Sequence, residues 1–171
     1  MVRIKKKLQI IIMNTLVNSI LITSKFRIIL YKFIGLNISK KGTFIHSMCL
    51  FNGFNVEIGQ HTFINYKCIF DNECGSKISI GNNCMIGMEV LFCTSSHKIG
   101  NYQRRGGRLI SAPITVEDGC WIGSRTTILP GITIGNGCVI GAGSLVNKNC
   151  KPNGIYVGVP ARRIKELPID K

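Results

Sequence analysis

Of the three histidines in the chain, His46, His61 and His97, only His97 falls where a regular repeat stops and a basic segment begins. Imidazole has an unperturbed pKa of about 6.5 and exchanges protons near neutral pH, so it suits general-base work at such a boundary. The same position also suits a corner histidine bonded to backbone. Beyond it come Arg104, Arg105 and Arg108. Guanidinium groups grip carboxylates and phosphates through paired hydrogen bonds. This segment therefore reads in three ways: a grip on an acidic acceptor such as a uronic or sialic acid, a contact to a coenzyme phosphate, or a solvated loop face. A second basic group (Lys148, Lys151, Arg162, Arg163, Lys165) closes the chain, and a third runs from Arg3 to Lys41. The 22 Lys and Arg outweigh 8 Asp and Glu, leaving a net charge of +14. Such a balance suits nucleic acid, acidic lipid or a phosphorylated coenzyme.

Eight cysteines raise metal and disulfide chemistry, and their placement argues against both. No CxxC pair occurs, and Cys68, Cys84, Cys120, Cys138 and Cys150 share one repeat position, which Cys49 joins if a coil segment begins at Ile45. At that position they read as small buried hydrophobes, and free thiols in this number suit a reducing cytosol.

The repeat itself supplies the scaffold. Windows of six residues starting at Ile80, Ile86 and Phe92, at Val116, Ile122 and Ile128, and at Ile134, Ile140 and Val146 all open on an apolar residue. Composition alone, at 45% hydrophobic, would make under half of those positions apolar. The fifth positions are uncharged and mostly small. A fixed short period means stacked units that bury their apolar faces against one another. Three hexads make one 18-residue coil of a three-sided prism, which predicts an all-β, single-stranded left-handed parallel β-helix. Coils stack about 4.8 Å apart.

Along the chain, residues 1–41 are expected as an N-terminal helical segment. Residues 42–157 are expected as the β-helix domain, irregular at first and regular from Ile58, and 158–171 as a C-terminal tail. Ile80 to His97 reads as one full coil. Residues 98–112 break the template and are expected as a loop thrown out from the prism, a common home for function. Leu8 to Thr23 is apolar but shorter than the roughly 20 residues needed to cross a bilayer. It reads as an amphipathic helix that caps the first coil, lies on an anionic membrane surface, or does both.

Four segments together carry a family resemblance. These are Pro113 to Gly123 (PITVEDGCWIG), Ile128 to Gly135 (ILPGITIG), Val139 to Val146 (VIGAGSLV) and Gly158 to Ala161 (GVPA). In order and spacing they resemble the hexapeptide-repeat acetyltransferases, across about residues 55–166. The family includes galactoside, maltose and nodulation-factor enzymes and many O-acetyltransferases of bacterial surface polysaccharides. The basic helix followed by Gly42 to Ile45 is most similar to the last group.

The resemblance implies a homotrimer with active sites in clefts between prisms, and acetyl-CoA as donor. It implies His97 as general base, the Ser124 backbone N–H as oxyanion donor, and Asn65 beside the base and the acceptor hydroxyl. Asp71, with Glu73 nearby, matches an acidic residue that touches the acceptor sugar, and Arg105 and Arg108 are the basic acceptor candidates. For coenzyme A it implies Lys148, Arg162 and Lys165 near the phosphates, Ala142 beside the pantetheine arm, and Trp121 at the cleft wall. Asn147 stands where the family usually has Thr. A coil-face role suits Glu89 better than orienting His97, and Arg163 reads as a solvated charge.

The function expected is acetyl transfer, without metal, to a sugar hydroxyl of a capsule or O-antigen glycan or its precursor. The expected location is the cytoplasm, with contact to the inner membrane face through the basic helix. The alternative is N-acetylation of an amino sugar or another small amine on the same fold. A zinc site of three converging histidines lacks a partner about one hexad from His97. Nucleic acid is disfavoured because the basic residues split into three groups without interleaved aromatics.

Overall fold

The computed structural model describes residues 2–72 and 74–169. Its body is a left-handed parallel β-helix with three faces. Inward residues form three ladders: Ile38, Ile58, Ile80, Val116 and Ile134 on face A; Ile45, Ile64, Ile86, Ile122, Ile140 and Tyr156 on face B; Phe51, Phe70, Phe92, Ile128 and Val146 on face C. All are buried. The phenylalanines stack, with ring centroids 4.4 Å apart for Phe51–Phe70 and 5.0 Å for Phe70–Phe92.

The corners explain the small residues. At the corner between faces B and C each coil turns through a residue with positive φ: Met48, Lys67, Glu89, Arg125 and Gly143. The next residue inward is Cys49, Cys68, Val90, Thr126 or Ser144, and each is buried. Several tie the coils together, as Cys68 Sγ does by donating to the Gly87 carbonyl at 3.2 Å. The thiols behave as packing groups, and burial pushes Cys150 up to about 12.

Four expectations change. The stretch from 42 is already regular coil, and the prism starts earlier, because Asn37–Ile38 pairs with face A. The coil that opens at Ile80 does not finish at His97. Ser96 is exposed, and the buried place expected for it falls to Ile114, in register with Ile78; Thr94, also buried, donates from N and Oγ1 to the Asp71 carbonyl at 3.0 and 2.9 Å. The chain then leaves the prism, and the segment expected as a loop is a β-hairpin of Ser95–Ile99 with Gly106–Ser111. The tail, finally, is structured. Gly154–Gly158 adds to face B and pairs antiparallel with Ala161–Glu166.

The N-terminus caps the first coil. Helix α1 (Val2–Ile12) runs into a π-helical turn (Met13–Val17), and α2 (Ser24–Ile34) follows. Met13, Val17, Ile28 and Tyr31 are buried over the open end, with Tyr31 and Phe51 ring centroids 4.9 Å apart. Arg27 is 3% exposed. Four carbonyls offset its desolvation, those of Val17, Ser19, Ile22 and Ile45, at 2.6 to 3.0 Å.

Candidate active site

His97 stands on the hairpin, paired across the strands with Leu109 and followed by a bulge. Its Nδ1 lies 2.8 Å from the Gly107 carbonyl oxygen. A carbonyl only accepts, so in the neutral imidazole Nδ1 carries the proton and Nε2 keeps its lone pair, on an exposed ring. Gly107 is required for this approach, since a Cβ there would sit 2.7 Å from the Lys98 carbonyl oxygen. Arg105 and Arg108 share the hairpin and are exposed. Arg105 donates to the Gly100 carbonyl at 3.3 Å, which tightens the turn and leaves the guanidinium in solvent.

Asp71 ends the face C strand Ile69–Asp71 and sits at the hairpin's root, opposite Cys93. Ser95 Oγ donates to its Oδ2 at 3.3 Å and Asn52 Nδ2 to its Oδ1 at 3.4 Å. Asn52 and Ser95 were not among the residues singled out from sequence. Their link to Asp71 crosses coils, and nothing in a hexad marks it. Glu73 lies outside the described residues.

A second group gathers at the corner between faces B and C. Asn65 opens that corner, its Oδ1 accepting from the Tyr66 N–H at 2.8 Å. Above it come Gly87, Gly123 and Gly141. A Cβ on Gly87 would lie 2.5 Å from Ser124 N, and one on Gly123 would lie 2.5 Å from Ala142 N. Glycine is what lets the coils close here, and the result is a strip of bare backbone. The Ser124 N–H, half-buried on that strip, donates to no acceptor among the described residues. Trp121 points outward on face B, in register with Met85 and Val139. Glu89 faces Arg125, Nε to Oε2 at 2.7 Å, which holds its carboxyl below the usual range. It stays on the coil face.

The third group lies at the far end. Lys148, Asn149, Tyr156, Ala161, Arg162 and Arg163 line a groove of about 170 Å³. This brings Lys148 and Arg162 together. Lys165 is three residues further along the same strand, opposite Ile155, and it and Asn147 lie outside the lining. Arg163 is more than a solvated charge, since it donates to the Pro152 and Asn153 carbonyls at 3.2 Å and ties the terminal strand down. A larger groove, about 520 Å³, runs along face A and is lined by Glu57, Glu117 and Asp118 among others. It holds none of these groups, and its acids would repel phosphates.

Within one chain the candidate residues are divided. Asn65 and Ser124 mark one edge of face C, while Asp71 and His97 mark the other. Six residues separate Asn65 from Asp71, a span of at most about 20 Å.

Residues 113–148 match the family model "Bacterial transferase hexapeptide (six repeats)", and residues 77–91 match "Hexapeptide repeat of succinyl-transferase". The galactoside O-acetyltransferase of Escherichia coli is 37% identical over 115 residues, 67% of this chain and 56% of that protein. The chain thus spans little more than half the length of the curated relatives it matches. Among solved structures, a hexapeptide-repeat acetyltransferase of Vibrio cholerae complexed with acetyl coenzyme A superposes with a TM-score of 0.81 at 30% identity. It covers 97% of this chain and 87% of the other. A maltose O-acetyltransferase of Clostridium difficile gives 0.80 at 33%, covering 96% and 88%. The chain belongs to the hexapeptide-repeat acetyltransferase family.

Proposed function

We propose that this protein transfers acetyl from acetyl-CoA to a sugar hydroxyl of a bacterial surface glycan or its precursor, in the cytoplasm and as a homotrimer. The observation that carries the reading is His97, held by Gly107 in the tautomer whose Nε2 can take a proton. The acceptor oxygen attacks the thioester carbonyl carbon while Nε2 removes the hydroxyl proton. Negative charge gathers on the carbonyl oxygen, where the unpaired Ser124 N–H stabilises it. Collapse breaks the carbon–sulfur bond, and the imidazolium returns its proton to the departing CoA thiolate. Atoms and charge balance without metal or covalent enzyme intermediate.

Assembly supplies what one chain lacks. The residue preceding each inward ladder residue points outward, and on face B these are Phe44, Phe63, Met85, Trp121, Val139 and Ile155. On face C they are Leu50, Ile69, Leu91, Thr127 and Leu145. Apolar rows on two faces suit a prism packed against two neighbours. The bare-backbone strip of one copy would then meet the hairpin of the next, with the pantetheine arm along the strip and its phosphates near Lys148, Arg162 and Lys165. Asp71 and Asn65 would position the acceptor, and Arg105 and Arg108 favour an acidic sugar.

The test incubates acetyl-CoA with neutral, acidic and amino sugars and follows thiol release, for the parent and for His97→Ala. The expected result is a hydroxylamine-labile ester, with turnover about 10²- to 10⁴-fold lower in the variant and CoA binding retained. A hydroxylamine-stable amide as sole product would replace O- by N-transfer. Equal turnover in parent and variant would remove His97 from the chemistry.

A further inference from the structure

The capping helices carry more apolar surface than capping uses. In α2 the residues turned onto the first coil are Ser24, Arg27, Ile28 and Tyr31, all buried. The opposite side of that helix presents Phe26, Ile29 and Phe33 at three- and four-residue spacing, with Phe33 88% exposed. In α1, Ile4, Leu8 and Ile11 stand exposed in the same way, flanked by Lys5, Lys6 and Lys7. The connection between the helices adds Ile20 and Leu21, also exposed. A cap needs one apolar side, and the fold gives the second no partner.

Charge selects what would cover it. No Asp or Glu occurs before Glu57, while lysines and arginines recur from Arg3 to Lys41. A second copy laid on this surface would set lysine against lysine. An anionic bilayer supplies both requirements, phosphates for the ammonium groups and an acyl boundary for the apolar side chains. Among the described residues no helix is long and apolar enough to cross a membrane, which leaves binding in the plane of the interface.

We propose that the outward face of the α1–α2 cap is a docking surface for an anionic lipid bilayer. Both helices carry an exposed apolar stripe, so the surface belongs to the folded cap rather than to a free N-terminal peptide. The proposal stands independently of the acetyl-transfer reading.

Vesicle flotation of the full chain tests it, comparing phosphatidylcholine alone with an equal mixture of phosphatidylcholine and phosphatidylglycerol. The parent is expected to float with the mixture, to stay behind with the neutral lipid, and to be released by high salt. Replacing Lys5, Lys6 and Lys7 together by Gln should weaken binding on the order of a hundredfold. The pair Phe26→Ser and Phe33→Ser should weaken it at least tenfold, with unchanged circular dichroism. A parent that ignores anionic vesicles overturns the proposal, as does binding indifferent to the Lys→Gln set. So does a phenylalanine pair that alters only the oligomeric state in sedimentation, which would assign the stripe to a contact between copies.

Discussion

Faces A and B of the prism share one inward pattern and carry opposite outward ones. Inside, both are ladders of buried aliphatics, with Tyr156 closing the one on face B. Outside, face A shows Asn37, Glu57, Ser79, Thr115 and Thr133, while face B shows aromatics, methionine and aliphatics. The coil tolerates either, because an outward side chain does not touch the core. The inward row therefore reports the fold, and the outward row reports what lies against it. Face C sides with face B. Water suits face A, and other protein suits the two faces that meet at the glycine-lined corner.

The largest expected effect comes from breaking that asymmetry. Met85→Glu with Trp121→Glu places two charges in the face B row. The proposed trimer should dissociate in sedimentation and turnover should vanish, whereas Thr115→Glu on face A should leave both intact. Equal behaviour of the two variants would mean that the outward rows do not mark the interface.

A smaller effect probes the shared inside. Phe70→Ala on face C removes the middle ring of a three-ring stack and should cost about 3–5 kcal/mol in denaturant unfolding. Ile80→Ala on face A should cost about 2–5 kcal/mol. Similar values from a polar and an apolar face would show that inward packing is blind to the outward row.

The smallest effect separates two exposed ion pairs, Lys77–Glu57 on face A and Arg125–Glu89 at the B/C corner. In each, the hydrogen bond from the basic partner holds the carboxylate below its usual range. A depressed pKa gives stability that is present above the ordinary value of about 4.3 and lost as pH falls through the lowered one. Lys77→Ala should therefore shift the thermal midpoint slightly at neutral pH and not in acid. Arg125→Ala should do so by more, because a neighbouring prism at that corner would exclude water.

Much of this molecule could be read directly. Ile80, Ile86, Phe92 and the hexads from Val116 to Val146 announce the prism, and the uncharged fifth positions announce its corners. The candidate site was legible in part. Asp71, Ser124 and Lys148 stand at the edges that the period marks, whereas His97 lies beyond the coil, on the hairpin. Asn52 and Ser95, which hold Asp71, were not legible, because their contact joins neighbouring coils through side chains that any polar residue could resemble. The stretch from 42 does not announce itself as coil, because its inward residues run seven apart from Ile38 to Ile45 and again from Phe51 to Ile58, one more than the hexad.

What the chain determined by itself is the triangular core, because a six-residue period is local: each residue's place depends on neighbours one or two corners away. Only the tertiary structure decided where His97 stands and which of its nitrogens is free. That choice depends on antiparallel pairing between Ser95–Ile99 and Gly106–Ser111 and on a close approach that only Gly107 permits. The division of His97 and Ser124 between two edges is likewise a matter of the folded chain, since closing a coil places residues far apart in sequence on one edge and residues six apart on different ones.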